Sequence, residues 1–225
     1  MIIVTGASRG LGKAITERLT KKGEKVIGLA RSTDGLNIDN IECDVSNYSS
    51  VKSAARKVKK MRTPIKAFIN VAGTASMNMA VTTDESTVQK LIQTNLAGTI
   101  YCCQLFAPIM LRQRYGSFIN FSTIAVALAL KGESVYAASK AGVEAFSRTF
   151  AREMADFNVR VNCIAPGPIR TDLLRGITDT QIQKITSQQI IPKQFQKSDV
   201  CDLVELLIDE RAASLSGQVL NVGGV

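Results

Sequence analysis

Two side chains in the segment Ser134-Val-Tyr136-Ala-Ala-Ser-Lys140-Ala-Gly are of types that handle protons. Spaced four apart in a helix, the Tyr136 hydroxyl and the Lys140 ammonium share one face. A free phenol titrates near pH ~10, too high for easy proton exchange at neutral pH. A positive charge ~5 Å away, at an effective dielectric of ~20, is worth about 3 kcal/mol or roughly 2 pKa units. The spacing therefore predicts a Tyr136 phenol lowered toward the working range, although Tyr-x-x-x-Lys on its own is more often a solvated helix face. The chain has no histidine. That excludes Ser-His-Asp hydrolysis, His-ligated zinc and any His general base, leaving proton transfer to Tyr, Lys, Asp, Glu or Cys.

A second constellation lies near the start, in Thr5-Gly6-Ala-Ser8-Arg9-Gly10-Leu11-Gly12. Three glycines let the backbone turn tightly against a pyrophosphate, and a helix starting there offers free N–H groups and the positive end of its dipole. The spacing G-x3-G-x-G differs from the general dinucleotide fingerprint. The segment Gly28-Leu-Ala-Arg31-Ser32 lacks the acidic residue that would bind a free ribose and repel a 2′-phosphate. Arg9 and Arg31 could clamp that phosphate, which favours NADP (as NADPH) over NAD, or they are ordinary surface charges. Asp44, ahead of Val45, either accepts from the adenine amino group or serves as a turn residue before Asn47.

These residues must be placed by elements that alternate along the chain. Strands are expected over residues 2–5, 25–30, 41–44, 67–71, 116–121, 159–164 and 218–222, several of them continuous apolar runs of the kind buried on both faces. Helices are expected over 10–23, 47–60, 84–113, 133–156 and 198–209, with a short one near 179–188. Asn47 and Ser198 are expected N-caps and Gly23 a helix stop. The pattern predicts an α/β fold: a Rossmann-like, doubly wound parallel sheet of about seven strands with helices on both faces, in one dinucleotide-binding and catalytic domain spanning 1–225. Residues 165–196, with three of the five prolines, read as a substrate lid.

The chain resembles the short-chain dehydrogenase/reductase family over nearly its whole length. The resemblance rests on residues 5–12, Asp44-Val45, Asn70-Val-Ala72-Gly73, Asn95, the Tyr136/Lys140 pair, Pro166-Gly167-Pro-Ile169-Arg-Thr171 and the ending Ser216-Gly-Gln-Val-Leu-Asn-Val-Gly-Gly224. It implies a Tyr–Lys–Ser–Asn tetrad in which Tyr136 protonates a carbonyl oxygen as hydride arrives. Lys140 would also bind the nicotinamide ribose, and Asn95 would hold a proton-relay water. Asn70 to Gly73 would support the ribose, and Pro166, Gly167, Ile169 and Thr171 would flank the nicotinamide. Outside that context Asn95 reads as a mid-helix polar residue and Thr171 as a helix cap. Two positions depart from the family. Thr123 stands where the substrate-polarising Ser is placed, thirteen residues before the Tyr, keeping the hydroxyl but adding a β-branch; Ser122 beside it is expected to face the opposite side of the sheet. Val71 replaces a frequent second Asn.

Within the family the chain is most similar to 3-oxoacyl-[acyl-carrier-protein] reductases, implying reduction of a 3-oxoacyl thioester; sugar, polyol and small-ketone dehydrogenases share most of these features. A non-catalytic NADP-binding sensor or structural subunit is the reading from another class. The formal net charge is +9, with Lys and Arg spread over helix-like segments. That suits anionic ligands, including an acyl group on an acidic carrier protein, better than nucleic acid. The resemblance also implies a homotetramer paired through the 84–113 and 133–156 helices. The five cysteines have no C-x-x-C spacing, which predicts buried free thiols, no metal and a reduced cytoplasmic setting. The first residues show no signal-peptide pattern, and no apolar run approaches the ~20 residues of a membrane span.

Overall fold

The computed structural model describes residues 1–32, 38–171, 174 and 178–225. Its centre is a sheet of seven parallel strands: β1 (Ile2–Thr5), β2 (Val26–Ala30), β3 (Asp39–Glu42), β4 (Ala67–Asn70), β5 (Gly116–Phe121), β6 (Val159–Ala165) and β7 (Val219–Asn221), in the order β3-β2-β1-β4-β5-β6-β7. β1, β2, β4 and β5 are buried at every residue, as their largely apolar sequences require. The strand order reverses between β1 and β4, and that switch point is where an open α/β sheet forms a crevice beyond its strand ends.

Helices cover both faces. On one lie α2 (Tyr48–Lys60), α4 (Gly98–Gln113) and α6 (Ser134–Ala155), packed over Phe68, Phe106, Phe118 and Phe150. The Phe68 ring centroid lies 4.5 Å from that of Phe106 and 5.8 Å from that of Phe118. On the other face α1 (Gly10–Lys21) and α8 (Lys197–Ile208) cover Ile2, Val4, Ile69 and Ile119. Arg18 of α1 bonds Asp202 and Glu205 of α8 at 2.6 and 2.9 Å. α3 (Glu85–Leu91), α5 (Ala125–Leu128) and α7 (Asp179–Thr186) complete the helices that border the site.

Most expected elements stand within two residues of their predicted bounds. Asn47 caps α2 by accepting from Ser50 N–H, and Gly23, at φ +82°, ends α1. The departures have physical causes. β3 sits two residues early because Cys43 and Asp44 leave the ladder for a turn in which Asp44 Oδ1 accepts from Ser46 N–H at 2.9 Å. Ser198 is not a cap: α8 begins after Gln196, whose N–H donates to Asp199 Oδ2 at 2.6 Å. The predicted 84–113 helix is continuous but widens into a π-helical stretch at Ile92–Ala97 between α3 and α4. By length and composition alone that run is long and apolar enough to cross a membrane. Cys102, Cys103, Phe106 and Met110, however, are fully buried, so this apolarity serves the core. Part of the predicted lid, residues 172, 173 and 175–177, lies outside the described residues.

Candidate active site

The C-terminal ends of β1, β2, β4, β5 and β6 open into a cleft of about 730 Å³. Its β1 side is the glycine-rich turn. Gly6 and Gly10 hold φ of +68° and +59°, conformations that an L side chain strains to adopt. Gly12 is held by contact instead: a β-carbon there would collide with the Gly6 carbonyl oxygen. The first intrahelical bond of α1 runs from Lys13 N–H to the Arg9 carbonyl at 3.1 Å. The N–H groups of Gly10, Leu11 and Gly12 therefore precede the ladder at the cleft, where an anion would meet them. Ser8, Arg9 and Arg31 line the same end, both arginines exposed. Asp44 and Val45 also line it. Asp44 takes the turn role, its Oδ1 accepting from Ser46 N–H and Oγ–H, and the residue also lines the cleft.

At the β5 end stand Thr123, Tyr136 and Lys140. Tyr136 is 9 % exposed and Lys140 5 %. The Thr123 hydroxyl lies beside the Tyr136 phenol and favours its ionised form. Thr123 Oγ1 accepts from Ala125 N–H at 3.2 Å, leaving its own proton free to be donated. Lys140 Nζ donates to the Phe121 carbonyl at 2.8 Å, and burial lowers its pKa to about 8.

The sequence expectation of a lowered phenol does not hold. Burial pushes Tyr136 well above its usual range and the Glu133 carboxylate pushes it the same way. The spacing argument counted the ammonium's attraction and left out the desolvation of the phenolate, which dominates here. Ser122, just past the end of β5 at Phe121, still pairs with β6 through its N–H to the Ile164 carbonyl at 2.8 Å. Ser122 Oγ donates to Glu144 Oε1 at 2.6 Å, toward α6, the helix that carries Tyr136.

Ala72, Gly73, Pro166, Gly167, Ile169 and Thr171 line the cleft as expected. Asn70 and Asn95 do not. Asn70 lies beneath the floor, where Nδ2 donates to Asn120 Oδ1 at 2.8 Å. Asn95, in the π-helical stretch and fully buried, has its side chain committed to other groups. Its Oδ1 accepts from Thr74 N–H at 2.8 Å, and Nδ2 donates to the Thr74 carbonyl at 2.9 Å and to Ser139 Oγ at 3.0 Å. Ser139 Oγ in turn donates to the Tyr136 carbonyl at 2.7 Å. The side chain expected to hold a relay water thus ties the β4 loop to α6. Residues that the sequence reading missed, Met77, Leu130 and Glu133 among them, also line the cleft. Only Glu133 carried a signal: it stands three residues before Tyr136 on the same helical face.

An all-parallel sheet with a glycine-rich turn at its switch point and a buried Tyr–Lys pair across the cleft defines an oxidoreductase of the Rossmann type. The family model for short chain dehydrogenases matches residues 1–182, and the chain belongs to that family of enzymes. It is 31 % identical to the 3-oxoacyl-[acyl-carrier-protein] reductase FabG of Escherichia coli, covering 99 % of this chain and 95 % of that one. It is also 31 % identical to the reductase of that name from Staphylococcus epidermidis, over 99 % and 96 %. Among solved structures, the aldohexose dehydrogenase of Thermoplasma acidophilum superposes with a TM-score of 0.89 at 31 % identity, covering 99 % of this chain and 92 % of that one.

Proposed function

We propose that the protein is a cytoplasmic, NADPH-dependent reductase that converts a keto group to a hydroxyl, with a 3-oxoacyl thioester as substrate. The observation that carries this reading is the Thr123–Tyr136 pair at one end of a cleft whose other end presents Arg9, Arg31 and the amide-rich start of α1. The residues present suit a dinucleotide, because the free N–H groups at the start of α1 and the exposed Arg9 and Arg31 line one end of the cleft. Gly6 to Gly12 would hold the pyrophosphate and Arg9 with Arg31 a 2′-phosphate. Asp44 and Val45 would bound the adenine, Ala72, Gly73 and Lys140 the nicotinamide ribose, and Pro166 to Thr171 the nicotinamide. When bound, NADPH supplies the hydride.

The protein's own residues do the rest. The Thr123 hydroxyl donates to the carbonyl oxygen and polarises it. Tyr136 gives its proton to that oxygen as charge develops there, and a phenol that stays protonated at neutral pH is in the correct form to do so. Burial that keeps water from Tyr136 and Lys140 strengthens each of these interactions. Presentation of the acyl chain on acyl-carrier protein and a homotetramer paired through α4 and α6 belong to the same reading. A second reading, oxidation or reduction of a sugar, is favoured by the half-buried carboxylate of Glu133 beside Tyr136 and by the likeness to the aldohexose dehydrogenase.

The test is consumption of NADPH, and separately of NADH, with acetoacetyl thioester and with a panel of keto sugars and simple ketones. Turnover of the thioester with NADPH preferred is the expected result. Turnover of sugars alone would replace the substrate and keep the chemistry, and tight NADPH binding without turnover would point to a binding protein. Tyr136→Phe is expected to lose at least 100-fold in kcat with cofactor affinity retained; unchanged turnover would sink the mechanism.

A further inference from the structure

The mechanism above leaves one charged group beside Tyr136 without a role. Glu133 is the N-cap residue of α6, three residues before Tyr136. Both residues line the cleft. The Glu133 carboxylate is half-buried, and among the described residues it has neither an ion-pair nor a hydrogen-bond partner. The cation that would offset it is engaged elsewhere, with Lys140 Nζ on the Phe121 carbonyl. The neutral Thr123 hydroxyl faces Tyr136 from the end of β5, and Cys163 of β6 bears on Lys140. The other charged residues lining the cleft, Arg9, Arg31, Asp44 and Lys90, stand on the turns after β1, β2 and β3 and on α3.

An unneutralised carboxylate one turn away from a buried phenol opposes the second negative charge that ionisation would create. We propose that Glu133 is a positioning residue for the transferred proton: its charge keeps Tyr136 in the phenol form and biases the enzyme toward carbonyl reduction. The inference rests on Tyr136 being the proton donor. In that direction the Tyr136 O–H bond breaks and its proton joins the carbonyl oxygen, while hydride from NADPH reduces the carbon, giving the alcohol and NADP⁺. The reverse reaction needs the phenolate as base, and Glu133 opposes its formation. Burial raises the carboxyl of Glu133 as well, yet at the alkaline pH where a phenol titrates it is ionised, so its effect is present where it matters.

Glu133→Gln keeps the shape and removes the charge. The chain has no Trp and four Tyr, so phenolate absorbance in the near ultraviolet reads tyrosine titration cleanly, and subtraction of the Tyr136→Phe signal isolates Tyr136. In Glu133→Gln the onset of that titration and the alkaline limb of the reduction rate are expected to fall together by about one pH unit. Alcohol oxidation at neutral pH should rise several-fold. Glu133→Asp, which retains the charge, should keep the wild-type limb. A titration and limb left at the wild-type position in Glu133→Gln would overturn the proposal, as would a raised KM for the carbonyl substrate with both unmoved, which would make Glu133 a substrate contact. Failure of the proton-donor reading is visible separately, as full turnover in Tyr136→Phe.

Discussion

Lys140 shows what a functional residue does to the fold that carries it. Burial holds its pKa at about 8, against an ordinary value of 10.5, so the folded state binds the proton more weakly than the unfolded chain does. The sign follows from linkage: between about pH 8 and 10.5 the unfolded chain binds more protons, so stability rises with pH across that window. Below it the buried ammonium costs on the order of 3 kcal/mol, part of which its bond to the Phe121 carbonyl offsets. Lys140→Met is therefore expected to raise the melting temperature of the cofactor-free enzyme at pH 7 by a few degrees while abolishing turnover. A melting point that falls would show that the carbonyl bond outweighs the buried charge; calorimetry on the two proteins decides. The identity of Lys140 was legible from its spacing to Tyr136, but its burial and the carbonyl that receives it were not, because both depend on where β5 ends.

At the scale of elements, local signals carried the sheet and tertiary constraints moved the rest. Ile2–Thr5 and Gly116–Phe121 stand where their apolar runs placed them, since no amphipathic alternative competes over four or six buried residues. β3 slid because Asp44 prefers its own turn to the ladder, and α8 starts at a Gln–Asp box that ordinary cap preferences rank below Ser198. The π-helical widening around Asn95 has no periodicity signal at all; it is fixed by the buried bonds from Asn95 to Thr74 and Ser139. The glycine turn was legible in full, because Gly12 touches an atom only six residues away in the chain. Gly12→Val should abolish dinucleotide binding, read by fluorescence of bound NADPH, while the far-ultraviolet circular dichroism of the sheet persists. Retained binding would mean that the turn can open without losing its ligand.

For the whole molecule, five cysteines are shut inside the fold. All five are free and buried. Burial pushes the thiols of Cys43 and Cys201 up to about 11 and that of Cys163 up to about 12, so little thiolate exists at neutral pH. The native protein should react with alkylating reagents far more slowly than the denatured chain, whose five thiols should all label; rapid native labelling, counted by mass spectrometry, would contradict the burial. A different consequence follows from the short relay of bonds between Thr74, Asn95, Ser139 and the Tyr136 carbonyl. The loop that would cover a ribose and the helix that carries the proton donor are one mechanical piece. A ligand that settles the first also settles the second, so the two substrates should not bind as independent guests. Steady-state kinetics should show compulsory order, with the dinucleotide entering first and leaving last, and Asn95→Ala should relax that order toward random entry even where it leaves kcat largely intact.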